Sequence, residues 1–174
     1  LPDICCGAKG GPGFDGGEWF AWWEQLPDQA EPWKKHLLAT HQPGATNIHP
    51  CDVNRDGRMD FVATRGHGRG VLWFRGPDFT MVEIDPEIVG PHCLVTVDLD
   101  QDGDLDIATC GKEPDGETVW YANDGSGSFV RREVGSNQGA YDIRAVDMDG
   151  DYDLDLLIAG HSSKNIVWFE NPLP

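Results

Sequence analysis

Acidic side chains recur at every second position in three short stretches of the sequence. In the stretch VDLDQDGDLDIATCG, residues 97–111, aspartates occupy positions 98, 100, 102, 104 and 106, and an apolar run follows at once. Carboxylates this close together repel one another unless a cation lies between them. The spacing therefore predicts a cation site beside a buried strand.

The full pattern is D-x-[DN]-x-D-G-x-x-D, with nine positions. Alternate side chains of a tight loop can turn oxygens inward, the glycine at position 6 permits a sharp bend, and position 7 can offer its backbone carbonyl. A set of oxygen ligands selects Ca²⁺, or less readily Mg²⁺ or Mn²⁺, over thiophilic metals. We predict two to three calcium ions, held by Asp52, Asn54, Asp56, Arg58 and Asp60; by Asp98, Asp100, Asp102, Asp104 and Asp106; and by Asp147, Asp149, Asp151, Asp153 and Asp155.

These loops differ from an EF-hand, which needs a bidentate glutamate at position 12 and flanking helices. Position 12 is Ala63, Thr109 or Ile158, so the aspartate at position 9 is expected to close each site. The third loop has Gly150 at position 4 and Tyr152 at position 6. Its bend is therefore expected to be made differently, and whether it binds metal stays open at this stage.

The acidic stretches belong to an internal repeat of 46 to 49 residues. A second shared block follows each of them: GVLWFRGP, TVWYANDG and NIVWFENP. A fourth copy, EWFAWWEQLP, follows LPDICCGAKG, in which Asp3 aligns with the position 9 aspartates. The tryptophans at this shared position, Trp22, Trp73, Trp120 and Trp168, are expected to pack between sheets.

Each repeat is predicted to form four short strands, and such units must stack to bury a core. We therefore predict an all-β fold of tandem four-stranded antiparallel blades, a β-propeller or propeller-like stack of about four blades. The first and last blades are expected to be incomplete, giving three, four, four and three strands. The chain is predicted to be a single repeat domain, residues 1–174, with units at about 1–39, 45–85, 90–135 and 139–174. Residues 30–41, AEPWKKHLLATH, could pass for a helix, but the alignment makes them a fourth strand.

The acidic loop, the apolar strand that ends in glycine and the W-[FY]-x-N-P-like block together resemble the FG-GAP or VCBS repeats of bacterial extracellular proteins. These repeats are similar to the calcium-bearing blades of integrin α-subunit propellers. The resemblance covers nearly the whole chain. It implies a calcium-stabilised propeller blade, secreted or surface-exposed, that is often a binding or adhesion module, and some members are appended to carbohydrate-active enzymes.

Composition restricts the partners. The formal net charge is −17, from 30 acidic and 13 basic residues, which argues against nucleic acid or an anionic membrane as a partner. No run is long and apolar enough for a membrane span, and the first residues lack the features of a signal peptide, so any export signal is expected to have been removed or to lie upstream.

The five cysteines show no metal-finger spacing and allow two interpretations. They could be small buried hydrophobic residues, or form one or two disulfides and leave a thiol over. Cys5 and Cys6 adjoin in a predicted strand and should point to opposite faces.

Two groups of side chains are weaker candidates for a binding surface. Trp19, Trp23 and Trp33 could form an exposed aromatic platform for sugar rings or for another subunit, or could fill an incomplete blade. His49 and His92 lie on first strands, which line the channel of a propeller, but they are not at equivalent repeat positions, so a symmetric histidine site is not expected.

The motifs of common enzymes are absent from the sequence: there is no G-x-S-x-G, no H-E-x-x-H and no dinucleotide-binding glycine loop. We therefore expect a secreted or surface module without catalytic activity, with a structural, adhesive or self-assembly role. Its partners would be other copies joined through open blade edges, or an extracellular glycan or protein. The alternatives are the glycan-presenting portion of a lyase or dehydratase, and a small lectin-like module.

Overall fold

A computed structural model describes residues 2–13, 15–28 and 30–172 and shows four antiparallel sheets. Sheet 1 has the order β1-β2-β3, sheet 2 β4-β5-β6-β7, sheet 3 β8-β9-β10-β11 and sheet 4 β12-β13-β14. The strands are β1 Ile4–Ala8, β2 Trp19–Glu24, β3 Lys34–Thr40, β4 Ile48–Cys51, β5 Asp60–Thr64, β6 Arg69–Arg75, β7 Thr80–Val89, β8 Pro91–Val97, β9 Asp106–Gly111, β10 Thr118–Asn123, β11 Phe129–Gly135, β12 Ala140–Val146, β13 Asp155–Gly160 and β14 Ile166–Phe169.

The predicted succession of three, four, four and three strands is confirmed. Residues 34–40 form the strand β3, and not a helix, as the repeat alignment predicts. The part of the chain that the structure describes contains no helix that could cross a membrane.

The four sheets share one pairing register. Within each sheet the repeated tryptophan lies opposite the residue that comes two positions after the position 9 aspartate, or after Asp3 in sheet 1. The pairs are Cys5 and Trp22, Val62 and Trp73, Ala108 and Trp120, and Leu157 and Trp168. Because side chains alternate between the two faces of a strand, the shared register directs the same repeat positions toward the same neighbouring sheet.

Three separate apolar cores lie between consecutive sheets. One joins sheets 1 and 2 and includes Phe20 and Phe74. The next joins sheets 2 and 3 around Trp73 and Leu94, and the third joins sheets 3 and 4 around Cys110. The first strands also contact one another in chain order, β4 with β8 and β8 with β12. The sheets are therefore successive blades of a propeller-like stack with the first strands innermost.

The two ends of the sheets have different chemistry. The acidic loops join the first strand to the second in sheets 2, 3 and 4, and we call this the acidic end. In sheet 3 the ladder runs from Val97 and Asp106 to Pro91 and Gly111, a span of roughly 20 Å at about 3.3 Å per residue. The far side, which we call the glycine end, carries the connections between the second and third strands, residues 65–68, 112–117 and 161–165.

Backbone hydrogen bonds join neighbouring sheets at the glycine end. The N–H of Gly44 donates to Lys9 at 3.0 Å, and its own carbonyl accepts from His67 at 3.2 Å. The carbonyl of Gly90 accepts from Lys112 at 2.9 Å, and that of Gly139 accepts from Ser162 at 3.0 Å. The same contact is thus repeated three times along the stack.

All five cysteines are free thiols. Cys51 and Cys110 are buried, which raises the pKa of each thiol to about 12 and makes both unreactive core residues. Cys5 packs against the core between sheets 1 and 2 while Cys6 is exposed, so the two adjacent side chains point to opposite faces as predicted.

Candidate metal centres

The three acidic loops, residues 52–60, 98–106 and 147–155, are called loops A, B and C. In each loop the N–H at position 6 donates to the carboxylate at position 1. The donors are Gly57 to Asp52 at 2.9 Å, Gly103 to Asp98 at 3.0 Å and Tyr152 to Asp147 at 3.2 Å. This shared hydrogen bond closes each loop around the oxygens of its odd-numbered positions.

Loop C makes the same bend as the other two loops, which corrects the prediction that its bend differs. Gly57 and Gly103 adopt left-handed backbone conformations with φ of 79° and 93°, and Tyr152 adopts φ of 77° at the same position. A side chain with a Cβ is strained in this region. Tyr152 is 91% exposed, so no packing of its ring compensates for the strain.

The aspartate at position 9 is buried in all three loops and uses both oxygens. In loop B, Asp106 accepts hydrogen bonds from Leu99 N–H at 3.0 Å and from Asn123 N–H, at the end of β10, at 2.8 Å. Asp60 and Asp155 make the equivalent pairs. Position 9 therefore fastens each loop to the third strand of its own sheet, in addition to any contact with a metal.

Carboxylate oxygens converge in two of the loops. Oxygens of Asp98, Asp100 and Asp106 lie within 4.8 Å of one another in loop B, and those of Asp147, Asp149 and Asp151 do so in loop C. The predicted closing residue thus joins the cluster in loop B, whereas the cluster in loop C is formed by positions 1, 3 and 5. In loop A, position 3 is the amide of Asn54, whose Nδ2 donates to Asp56 at 3.3 Å.

Three carboxylate oxygens of loops B and C are buried without a hydrogen-bond partner. They are one oxygen each of Asp98, Asp100 and Asp153. Burial, followed by the neighbouring charges of Asp102 and Asp98, raises the pKa of Asp100. Burial and the carboxylates beside them raise the pKa of Asp149 and Asp153 in the same way. A buried acceptor without a donor, next to other carboxylates, fits a hard divalent cation.

The residue at position 7 makes different contacts in the three loops. The Asp104 side chain is turned away to pair with Arg55 of loop A, at 2.6 Å between Nη1 and Oδ1. Arg58 has its N–H bonded to Asp56 at 2.9 Å, and Asp153 is buried. A contribution through the backbone carbonyl at this position stays a prediction.

Two asparagines that we did not assign a role from the sequence connect the loops to the following sheet. The Asn123 Nδ2 donates to the carbonyl of Val53 in loop A at 2.8 Å and to that of Leu105 in loop B at 3.0 Å. Asn171 bridges Leu99 of loop B and Leu154 of loop C in the same way, at 2.8 and 3.2 Å. The available signal was the asparagine that both W-[FY]-x-N blocks share.

The repeated tryptophans behave as predicted in three sheets and differently in the fourth. Trp73 is 4% exposed in the core between sheets 2 and 3, and Trp22 and Trp120 pack against the other two cores. Trp168 is 40% exposed. Its equivalents pack against the sheet that comes next, and among the described residues no sheet follows sheet 4.

The two weaker candidate binding surfaces, the aromatic group that includes Trp19 and the histidines of the first strands, are partly covered by other side chains. Lys35 Nζ lies 3.6 Å from the ring centre of Trp19, so one face of that ring is already covered. His49 and Arg144 occupy equivalent register positions, which confirms that His49 has no histidine counterpart in sheet 4. His92 instead stacks on Tyr141, with ring centres 4.0 Å apart, and Tyr141 stacks on His161 at 4.3 Å.

Comparison with known proteins agrees with the geometry of the repeat. No curated protein matches the chain. The family model described as FG-GAP-like repeat matches twice, at residues 52–109 and 98–158, and each match begins at position 1 of an acidic loop and runs past the loop that follows. Together the two matches cover more than half of the sequence, and the chain belongs to the FG-GAP-like repeat family.

Proposed function

We propose that the chain is an extracellular repeat module whose blades are stabilised by Ca²⁺ bound in the acidic loops, and that its role is structural or adhesive and not catalytic. The observation that carries the proposal is the pair of buried, unpartnered oxygens of Asp98 and Asp100 in loop B. Repeats of this family commonly bind calcium, which agrees with a cluster made only of oxygen atoms.

The ligands would be the side chains at positions 1, 3 and 5 in every loop. The aspartate at position 9 would join them in loop B, where its oxygen lies close to those of positions 1 and 3. A bound cation would offset the burial and the neighbouring charges of Asp102 and Asp98, which together raise the pKa of Asp100, and would satisfy its free oxygen. Loops B and C offer the larger carboxylate clusters, and loop A offers one amide in place of a carboxylate.

Calcium would fasten the loops and not create the fold. The three cores between the sheets consist of apolar side chains and include none of the predicted ligands. Extracellular calcium modules have dissociation constants of roughly 10⁻⁴ to 10⁻³ M, so about 2 mM Ca²⁺ would add roughly 0.7 to 1.8 kcal/mol per site. Because cytosolic calcium is far lower, sites of this strength would be filled only outside the cell, as the proposed secreted or surface-exposed location requires.

The function of the stack would follow from its form. Successive blades with their first strands innermost agree with a propeller-like repeat, to which this chain would contribute four blades. The acids of the loops are used in hydrogen bonds and in the clusters described above, so we assign no general acid or base among them.

Saccharide binding is a second candidate, and one surface favours it. A shallow depression of about 440 Å³ at the glycine end is lined by Lys9, Asn47, His92 and Tyr141, among others. These groups offer hydrogen-bond donors to a sugar, and such a module could present glycan to a separate catalytic domain. A glycan-array signal that is lost in Tyr141→Ala and kept in Trp33→Ala would favour this function.

Calorimetric titration with calcium tests the first proposal, together with thermal unfolding in about 2 mM Ca²⁺ and in excess chelator. We expect two to three weak sites and a higher Tm with calcium. The double variant Asp98→Asn with Asp100→Asn should lose one site and keep the others. Glu133→Gln is the matched control, because it removes one exposed carboxylate on β11, outside the loops. A Tm that is the same with calcium and with chelator would contradict the proposal.

A further inference from the structure

Neighbouring acidic loops contact each other through the side chain at position 4. In loop A this residue is Arg55, whose Nη1 lies 2.6 Å from Oδ1 of Asp104, at position 7 of loop B. In loop B it is Gln101, whose Nε2 donates at 3.3 Å to the carbonyl of Tyr152, at position 6 of loop C. Each of these two side chains thus extends from its own loop to the bend of the next loop.

The two contacts between loops are structurally equivalent. Arg55 and Gln101 both have a left-handed backbone, with φ of 55° and 58°, so their side chains leave the loops in the same way. Arg55 also approaches position 6 of loop B, because its Nη2 lies 3.9 Å from the place of a Cβ added to Gly103. Both side chains therefore come close to position 6 of the loop that follows. They differ in charge, since the guanidinium is a cation and the amide is neutral.

The aspartate at position 7 has a partner in loop B and a buried oxygen without one in loop C. The two loops carry aspartate at the same five odd-numbered positions. Asp104 of loop B is paired with Arg55. Asp153 of loop C is 6% exposed, and its Oδ1 is buried without a hydrogen-bond partner. The cation that fastens loop A to loop B is thus replaced by the neutral Gln101 between loops B and C.

We propose that the charge at position 4 of one loop sets the calcium affinity of the next loop. Arg55 acts as a built-in cation for loop B, because it offsets the charge of Asp104 and repels a metal ion held by the same loop. Gln101 brings no charge to loop C, which therefore binds calcium more tightly than loop B. Loop B is held in part without calcium, whereas loop C depends on calcium more fully. This inference rests on the proposed function and ranks two of its sites by affinity.

Exchanging the two residues at position 4 tests the inference. Arg55→Gln removes the charge beside loop B, and Gln101→Arg adds one beside loop C. Both positions are exposed, so these variants should fold. Three weak sites overlap in a single titration, so calorimetry is done on chains in which only one loop can bind calcium. The other two loops are disabled by paired changes, chosen from Asp52→Asn with Asp56→Asn, Asp98→Asn with Asp100→Asn, and Asp147→Asn with Asp149→Asn.

The two exchanges should change calcium affinity in opposite directions. In the chain with loop B alone, Arg55→Gln should raise the affinity about fivefold, near the upper range for a charge that is partly exposed to solvent. In the chain with loop C alone, Gln101→Arg should lower the affinity by a similar factor. Arg55→Lys keeps the charge and should stay close to the original affinity. The matched control is Arg75→Gln, which removes an exposed arginine from the end of β6, outside the loops, and should leave the affinity of loop B unchanged.

Stability without calcium is a second readout, and it separates the effect of charge from damage to the fold. In excess chelator, Gln101→Arg should raise Tm because the new guanidinium can pair with the free oxygen of Asp153. Arg55→Gln should lower Tm because Asp104 loses its partner. The variant that binds calcium more weakly is thus the more stable one without calcium, which general damage does not produce. Both changes in affinity should shrink in about 1 M salt, which screens exposed charges.

The outcomes separate this inference from the proposed function. If the loops bind calcium but Arg55→Gln leaves loop B unchanged or weakens it, the charge at position 4 does not set the affinity, and the calcium module stands. An equal loss of loop C affinity in Gln101→Arg and Gln101→Ala would assign the effect to the hydrogen bond with Tyr152, and would also overturn the inference. If no loop binds calcium in any of these chains, the proposed function fails and this inference fails with it.

Discussion

The acidic end and the glycine end fasten the same sheets by opposite means. At the acidic end, carboxylates crowd together and leave buried oxygens of Asp98, Asp100 and Asp153 without a donor. At the glycine end, the backbone supplies both donor and acceptor, as in the contacts of Gly44 with Lys9 and His67. Under the proposed function, the acidic end would depend on a cation from solution and the glycine end only on the chain, so substitutions at the two ends should respond differently to calcium.

The largest effect should come from Gly44→Ala at the glycine end. Gly44 has φ of 80°, and a Cβ on it would overlap the backbone of His67 and Gly68. Neither obstacle is a flexible side chain, so we expect a loss of about 3 kcal/mol in the free energy of unfolding. Chemical denaturation should show the same loss with calcium and with chelator.

Gly11→Ala is the control for backbone strain alone. Gly11 also has positive φ, but a Cβ added to it would have no atom within 4 Å, so about 1 kcal/mol is expected. A Gly44→Ala defect that disappears in calcium would show that the glycine end is not independent of the metal.

A smaller effect is expected from Asn123→Ala at the acidic end. The change leaves the carbonyls of Val53 and Leu105 without the amide that bridges loops A and B. We expect a loss of about 2 kcal/mol and weaker calcium binding in both loops, measured by denaturation and calorimetric titration. Asn165→Ala, an exposed asparagine of the glycine end, should leave calcium binding unchanged. If Asn123→Ala and the unmodified chain bind calcium with equal affinity, Asn123 does not support the metal site.

The smallest effect should be a gain in stability. Tyr152→Gly relieves the left-handed strain in loop C and keeps the carbonyl that accepts from Gln101 at 3.3 Å. We expect about 1 kcal/mol of added stability, and an equal loss for the reverse change Gly57→Ala in loop A, whose added Cβ meets no other atom. Chemical denaturation of Tyr152→Gly and of Gly57→Ala measures both changes in the free energy of unfolding. A loss of stability in Tyr152→Gly would show that the exposed ring has a contact of its own.

Local patterns in the sequence account for the strands and loops and not for the contacts between sheets. The repeat alignment predicted a strand within residues 30–41, where β3 forms at Lys34–Thr40. It also predicted that Asp3 is equivalent to the position 9 aspartates, and Asp3 Oδ1 accepts from Gln25 N–H at 2.9 Å, as Asp60 does from Gly76. Both inferences depend on spacing within one repeat, which a single sequence displays directly.

The features that escaped prediction depend on two repeats at once. Asn123 contacts Val53, 70 residues earlier, and Arg55 contacts Asp104, 49 residues later. The recurrence of the asparagine in two W-[FY]-x-N blocks marks its position but not its partner in another sheet, and nothing local distinguishes Arg55 from an ordinary surface residue. The bend at Tyr152 was mispredicted for another reason: the hydrogen bond from its N–H to Asp147 fixes the backbone of loop C strongly enough to override the preference of the side chain.

The asparagine bridges also place the boundary of the repeat inside the sheets. Loop A is held by Asn123 of the next sheet, and loop B by Asn171 of the sheet after that. A segment that contains one complete sheet would therefore carry an acidic loop without the asparagine of the next sheet, and an asparagine with only one of its two loops. A segment that keeps the bridge must run from one acidic loop to the asparagine of the next sheet, from 52 to 123 or from 98 to 171, which extends beyond the end of either family match. A breakpoint between two sheets divides this bridge, and so does a breakpoint at the start of the second acidic loop.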